Sequence, residues 1–145
     1  MIKLKPFTIA DHSAAHALWY GTTGVCTCDK CMELDTLENI EKYLARNPGM
    51  SFVAIDTQSG DKLIGAVLAG HDGRTGLIYR LTVAEAYRES GMGRQLVDAA
   101  LAALKNAEIT TVKAFVLNEN DGGNMFWEKA GFELLTKAVT RNKEI

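Results

Sequence analysis

The sequence predicts one mixed α/β domain in the element order βααβββαβαβ, with a further strand folded back within residues 132–145. Three observations carry that reading. Residues 52–56 and 63–69 are apolar, partly β-branched runs split by Ser59-Gly60-Asp61, which is the pattern of a hairpin. Residues 77–83 alternate, with Leu77, Tyr79, Leu81 and Val83 facing one way and Ile78, Arg80 and Thr82 the other. From Gly91 the apolar period lengthens to that of a helix, and a strand over 111–117 follows, making a βαβ crossover.

Taken in order, residues 3–9 form the first strand, closed by Asp11 as the N-cap of a helix. Ala14, Ala15, Leu18 and Trp19 give that helix its apolar stripe. Residues 21–33 have no period and read as a loop. Asp35 followed by Glu38 has capping-box spacing, and Leu37, Ile40 and Leu44 share one face of a second helix. Asn47-Pro48-Gly49 stops it. Beyond the hairpin, Gly70-His71-Asp72-Gly73 turns the chain into 77–83. The long helix presents Met92, Leu96, Val97, Ala100, Leu101 and Leu104 to the core. Asn120 or Asp121 caps a short helix that ends at Gly131, a left-handed glycine, and the chain from Phe132 is extended again.

A length of 145 residues allows one core without disulfide or metal staples, and no linker or repeat divides it. With 47% hydrophobic and 23% charged residues the chain is not a disordered one. Its net charge of −2 supplies no basic field, so no nucleic-acid partner is expected. No apolar run nears the roughly 20 residues of a membrane helix, so no membrane partner is expected either. Residues 1–6 lack a signal-peptide h-region, and cytoplasm is the expected location.

The stretch with chemical content is Arg88-Glu89-Ser90-Gly91-Met92-Gly93-Arg94, between a strand and a helix. A helix start leaves about four N–H groups unpaired and carries roughly half a positive charge. Glycines there let an anion approach the amides directly, and Arg88 and Arg94 flank them with charge. The stretch reads as a diphosphate cradle. A dinucleotide fingerprint would carry a third glycine where Leu96 stands, and a Walker loop would need Gly-Lys-Ser/Thr; neither is present.

Two blocks about 30 residues apart resemble the GCN5-related N-acetyltransferase (GNAT) family. Leu81-Thr82-Val83-Ala84-Glu85-Ala86-Tyr87-Arg88-Glu89-Ser90-Gly91-Met92-Gly93 looks like that family's pyrophosphate motif. Residues Asn120 to Phe132, containing Phe126-Trp127-Glu128-Lys129-Ala130-Gly131-Phe132, look like its second motif. The resemblance implies a GNAT-like mixed sheet whose central strands, 77–83 and 111–117, run parallel and splay to admit acetyl-CoA. It further implies that pantetheine amides pair with Leu81 and Val83 as an added strand. The pyrophosphate would sit on amides from Arg88 through Glu89, Ser90, Gly91, Met92 and Gly93 to Arg94, with Asn120 also touching the cofactor.

The activity so implied is acetyl transfer to a primary amine by direct attack on the bound thioester, with N–H groups near Val83 polarising its carbonyl. The acceptor would be a small-molecule or peptide amine. Acetyl-CoA is the co-substrate, no metal is expected, and a homodimer is left open. Many relatives carry, seven positions after the motif asparagine, a tyrosine that protonates the departing thiolate; Trp127 stands there, and an indole N–H cannot supply that proton. Tyr79, Tyr87 or water could substitute. Glu85 and His71 are base candidates by residue type, each with a plain turn role as the alternative. The departure at Trp127 motivates a second reading, a CoA-binding sensor without turnover. Gly91→Val is expected to block the pyrophosphate while leaving the fold intact.

Cys26, Cys28 and Cys31 are odd in number and crowded, which suits reduced thiols better than a disulfide framework. Their Cys-x-x-Cys spacing is one that zinc uses, and His12 or His16 could add a ligand only if the loop folds back. A loop with incidental thiols is the expectation.

Overall fold

Five strands lie side by side in the order in which the chain makes them. In the computed structural model, which describes residues 1–145, they are β1 (Ile2–Pro6), β2 (Phe52–Asp56), β3 (Lys62–His71), β4 (Gly76–Val83) and β5 (Val112–Ala114). The helices are α1 (His12–Tyr20), α2 (Asp29–Leu34), α3 (Leu37–Arg46), α4 (Met92–Asn106) and α5 (Asp121–Lys129). Strands β1 to β4 pair antiparallel, and β4 pairs with β5 in parallel through the crossover helix α4.

Alternation along the strands divides the core into two layers. Ala54, Ile64, Val67, Ala69 and Ile78 meet Leu96, Val97, Ala100 and Leu104 of α4. On the other face Val53, Ile55, Ala66 and Leu68 meet Ala15 and Trp19 of α1 and Ile40 of α3. The predicted stripe of α4 is thus the buried one, except that Leu101 is only partly covered.

Several expected details differ. Asp11 stands at the N-cap position of α1 but gives that helix no side-chain hydrogen bond; its carboxylate accepts the Thr8 amide at 2.9 Å and closes a short turn at 9–11 instead. The cap of α3 is Thr36, whose Oγ1 accepts the Asn39 amide, and Asp35 is buried in another role. Part of the expected loop at 21–33 is the helix α2. The strand expected over 111–117 pairs only over Val112–Ala114. No strand forms after α5. Leu134, Leu135 and Val139 are 83%, 62% and 79% exposed, and adjacent leucines point to opposite faces of a strand, so one buried face cannot hold both.

Strand β4 carries the feature that shapes the rest. Ala66 pairs with Thr82 but Leu68 pairs with Tyr79, so β4 holds one residue more than β3 between those points. The bulge sits at Arg80, whose φ of +54° is left-handed, a costly backbone for a long side chain. Simple alternation groups Tyr79 with Leu81 and Val83. The extra residue separates them: Tyr79 meets Tyr43 of α3, whereas Leu81 and Val83 pack on the α4 layer.

Leu96 is fully buried between α4 and the sheet. Leu96→Ala is expected to destabilise the domain by about 2–5 kcal/mol, read from the midpoint of urea unfolding.

Candidate active site

The ladder between β4 and β5 ends at the pair Ile78–Ala114. Beyond it the strands part, and β4 presents a free edge. Ala84 donates its amide to Ile64 on the β3 side, so alternation turns the peptide groups of Val83 and Leu81 toward the gap. The Val83 carbonyl there accepts Nε of Arg88 at 3.2 Å.

The chain leaves β4 through a tight turn at 85–87 and enters α4. None of the six amides of residues 89–94 donates to an acceptor within the chain. Their backbone alternates in hand, with Glu89 at φ +60° and Gly91 at +81° around a Ser90 of ordinary sign. Such alternation turns successive N–H groups into one concavity suited to an anion. Tyr87 fastens this loop to β2 by donating its hydroxyl to Asp56 at 2.7 Å, and Ser90 Oγ donates to the Tyr87 carbonyl at 2.5 Å. The Tyr87 contact first, then Ser59, holds the Asp56 carboxyl below its ordinary range. A depressed carboxyl stabilises above its unfolded pKa of about 3.9 and loses that contribution only as pH falls through the lower folded value. At neutral pH the anchor is intact. Arg88 and Arg94 are both exposed; Arg94 pairs with Asp98 one turn along α4, a surface contact worth at most about 1 kcal/mol.

Where the strands part lies a cleft of about 750 Å³. Its walls include Ile78, Tyr79, Arg80 and Leu81 of β4, Phe115, Val116 and Leu117 beyond β5, and Ile40 and Tyr43 of α3. The left-handed backbone aims Arg80 across the gap. Its guanidinium forms an ion pair with the buried Asp35 and donates to the Cys26 carbonyl at 2.6 Å. Tyr20 donates to the same carboxylate at 2.8 Å, and burial first, then Asp35, pushes its phenol up.

The sequence matches the acetyltransferase (GNAT) family over residues 15–132. The chain belongs to that family. Among curated proteins none matches it significantly. Solved structures of the same fold include an acetyltransferase from Streptococcus agalactiae, at TM-score 0.77 and 16% identity over 99% of this chain and 90% of that one. An aminoglycoside 6′-N-acetyltransferase from Acinetobacter baumannii superposes at TM-score 0.75 and 16% identity, covering 100% of this chain and 99% of its own. The PaiA N-acetyltransferase from Thermoplasma acidophilum, solved with coenzyme A, gives TM-score 0.71 and 18% identity over 89% and 87%. At such identities the likeness is one of fold.

Within this GNAT domain the sequence candidates fall into two groups. Tyr79, Leu81, Asn120 and Trp127 line the cleft. Asn120 is engaged at both ends: Oδ1 accepts the Gly123 amide at 2.9 Å as the cap of α5, and Nδ2 donates to Gly24 at 3.4 Å. Trp127 stands edge-on to Phe126 and Phe132, at ring distances of 5.3 and 4.8 Å. The other group lies elsewhere. His71 accepts the Gly73 amide in the β3–β4 turn, roughly 17 Å from Leu81 at about 3.4 Å per strand residue, which removes it as a base. Glu85 faces a smaller hollow with Thr22, Thr23 and Arg88, outside the cleft. Tyr87 is committed to Asp56 and is no acid for the cleft.

The structure also brings in residues that sequence reading passed over. Tyr43 lines the cleft with a buried hydroxyl that has no partner, and burial raises its pKa. Asp35 and Tyr20 join Arg80, and only a carboxylate and an arginine each set among apolar neighbours hinted at that pairing. The three cysteines gather beside it. Cys28 Sγ lies 3.5 Å from Cys26 Sγ and 3.3 Å from Cys31 Sγ. The Cys31 amide first, then the neighbouring sulfurs and the Lys30 amide, lowers the Cys28 thiol, while burial pushes Cys31 up to about 12. Neither histidine joins them: His12 Nε2 contacts the Asp35 carbonyl at 2.8 Å, and His16 stacks on Tyr20.

Asp35 and Arg80 have side chains only 7% and 11% exposed. Asp35→Ala strands the arginine charge and is expected to cost about 3 kcal/mol or more in urea unfolding. Combining Asp35→Leu with Arg80→Met removes both charges together and is expected to recover most of that loss.

Proposed function

We propose that this chain is an N-acetyltransferase that moves the acetyl group of acetyl-CoA to a primary amine by direct attack in a ternary complex. One observation carries the reading: six consecutive unpartnered amides, at residues 89–94, directly follow a strand edge left free toward a cleft. A diphosphate fits the first feature and an extended amide-bearing arm the second.

In this reading the amides of 89–94 hold the pyrophosphate, and Leu81 and Val83 bind the pantetheine arm as an added strand. Arg88 has two acceptors to choose between. Released from the Val83 carbonyl it can pair with phosphate, and the same movement frees that carbonyl for a pantetheine amide. Gly91 needs its left-handed φ to start α4, so Gly91→Val strains the fold as well as the cradle and is not the clean probe the sequence suggested.

The co-substrate supplies a thioester, whose thiolate leaves readily because a thiol pKa is near 8–9. The chain supplies position and polarity. In this reading free N–H groups near Val83, on the unpaired edge of β4, polarise the carbonyl as negative charge grows on its oxygen. Tyr79 sits beside the β4 bulge on the cleft wall with a phenol that is neutral at physiological pH, and in this reading it is the proton donor to the departing sulfur in place of Trp127. Asp35 is saturated by Arg80 and Tyr20, so water removes the proton from the amine. The largely apolar walls suit an amine on a small apolar body or a peptide end, and Lys42 and Arg46 border the opening.

Thiol release from acetyl-CoA across a panel of amines tests this. Turnover with at least one amine is expected. Saturable binding with no turnover on any amine would favour the sensor reading that Trp127 motivates, and no CoA binding would end both. Arg88→Ala is expected to raise the Kd for CoA by about 10-fold without altering thermal unfolding, and an unchanged Kd would contradict the assigned cradle. Tyr79→Phe is expected to lower kcat by about 10²-fold at unchanged KM for acetyl-CoA, which steady-state kinetics would reveal.

A further inference from the structure

Cys26 lies ahead of α2, Cys28 at its cap and Cys31 in its first turn, and their sulfurs converge to within 4.8 Å of one another. Spacing in sequence left a metal the lesser reading; convergence reverses that. A zinc ion with Zn–S bonds of about 2.3 Å separates its tetrahedral ligands by about 3.8 Å. Two of the three separations, 3.5 and 3.3 Å, lie within about half an ångström of that and the third is within 4.8 Å, so a small adjustment of the loop completes the arrangement. Three thiols in a reduced loop have little other reason to crowd together, since each is a weak donor and weak acceptor.

We propose that Cys26, Cys28 and Cys31 form a three-sulfur site for a zinc-class thiophilic cation, with a fourth position open. Binding displaces the three S–H protons and gains two positive charges, leaving the site one negative charge. The Arg80 guanidinium, beside Cys31 and bonded to the Cys26 carbonyl, faces that charge. Cys26 and Cys31 also line the cleft, so the cation fastens the segment that holds Arg80 and forms one wall of the acceptor opening. Water or a ligand entering the cleft would take the fourth position, because no histidine or carboxylate joins the cluster. The inference does not depend on acetyl transfer.

The whole chain, reduced and stripped by a chelator without oxygen, is titrated with Co2+ and then Zn2+. Expected are thiolate-to-cobalt charge-transfer bands saturating near one equivalent, their loss on adding one equivalent of zinc, and protection of all three thiols from alkylation. Cys26→Ser, Cys28→Ser and Cys31→Ser should each weaken zinc binding by more than the roughly 10–100-fold typical of losing an outer partner. Cys28 is exposed, so Cys28→Ser keeps the test open should a partly buried variant fail to fold. His12→Gln should leave affinity unchanged. Binding below about one-tenth equivalent, a Cys28–Cys31 disulfide formed under these reducing conditions, or full affinity in Cys28→Ser would overturn the site.

Discussion

The structure depends on the point where two parallel strands stop pairing. Up to Ile78 and Ala114 the sheet is continuous; beyond them β4 and β5 separate, and each leaves peptide groups without a neighbour. An unpaired strand edge buried in a protein is costly unless something hydrogen-bonds to it. Here the edge opens on a cleft, where its peptide groups stay accessible instead of being sealed in a closed sheet. The direction of β4 then delivers the chain straight into the free amides ahead of α4. One divergence thus places a free strand edge and a run of unpartnered amides in sequence along one side of the cleft, the two features on which the proposed function rests.

The bulge at Arg80 sets the chemistry of the opposite wall. One additional residue in β4 switches which side chains face α3 and which face α4, and it sends an arginine across the gap to Asp35. A buried ion pair of this kind adds little net stability because both charges lose water. Its effect is positional. Asp35, Tyr20 and the Cys26 carbonyl all converge on the guanidinium, so the loop between α1 and α2 is tied to the strand that borders the cleft. The same tie occupies the Asp35 carboxylate with Arg80 and Tyr20, while Tyr43, Tyr79, Asn120 and Trp127 supply other polar groups to the cleft walls.

Much of this was legible in the chain itself. The left-handed glycine that starts α4, the stripe of that helix, the hairpin and the cap at Asn120 are local matters: each follows from residues a few positions apart and from backbone preferences that neighbours in sequence impose. Where reading failed, the deciding partner was distant. Asp35 looks like a cap because Glu38 follows it, yet Thr36 caps α3 and Asp35 turns inward to an arginine 45 residues away. Tyr43 carries no sign that its hydroxyl ends without a partner in a cleft wall. His71 and Glu85 have suitable chemistry and the wrong location.

The sequence by itself determined the family, the order of elements up to α5 apart from the short helix α2, and the loop whose amides are free, because periodicity, glycine and capping act over a turn or two of chain. Only the tertiary structure decided where β4 and β5 part, which face each residue of β4 takes beyond the bulge, and that three cysteine sulfurs meet. Those outcomes depend on contacts between segments tens of residues apart, and pairing register and side-chain direction across such distances are fixed by packing rather than by any local preference.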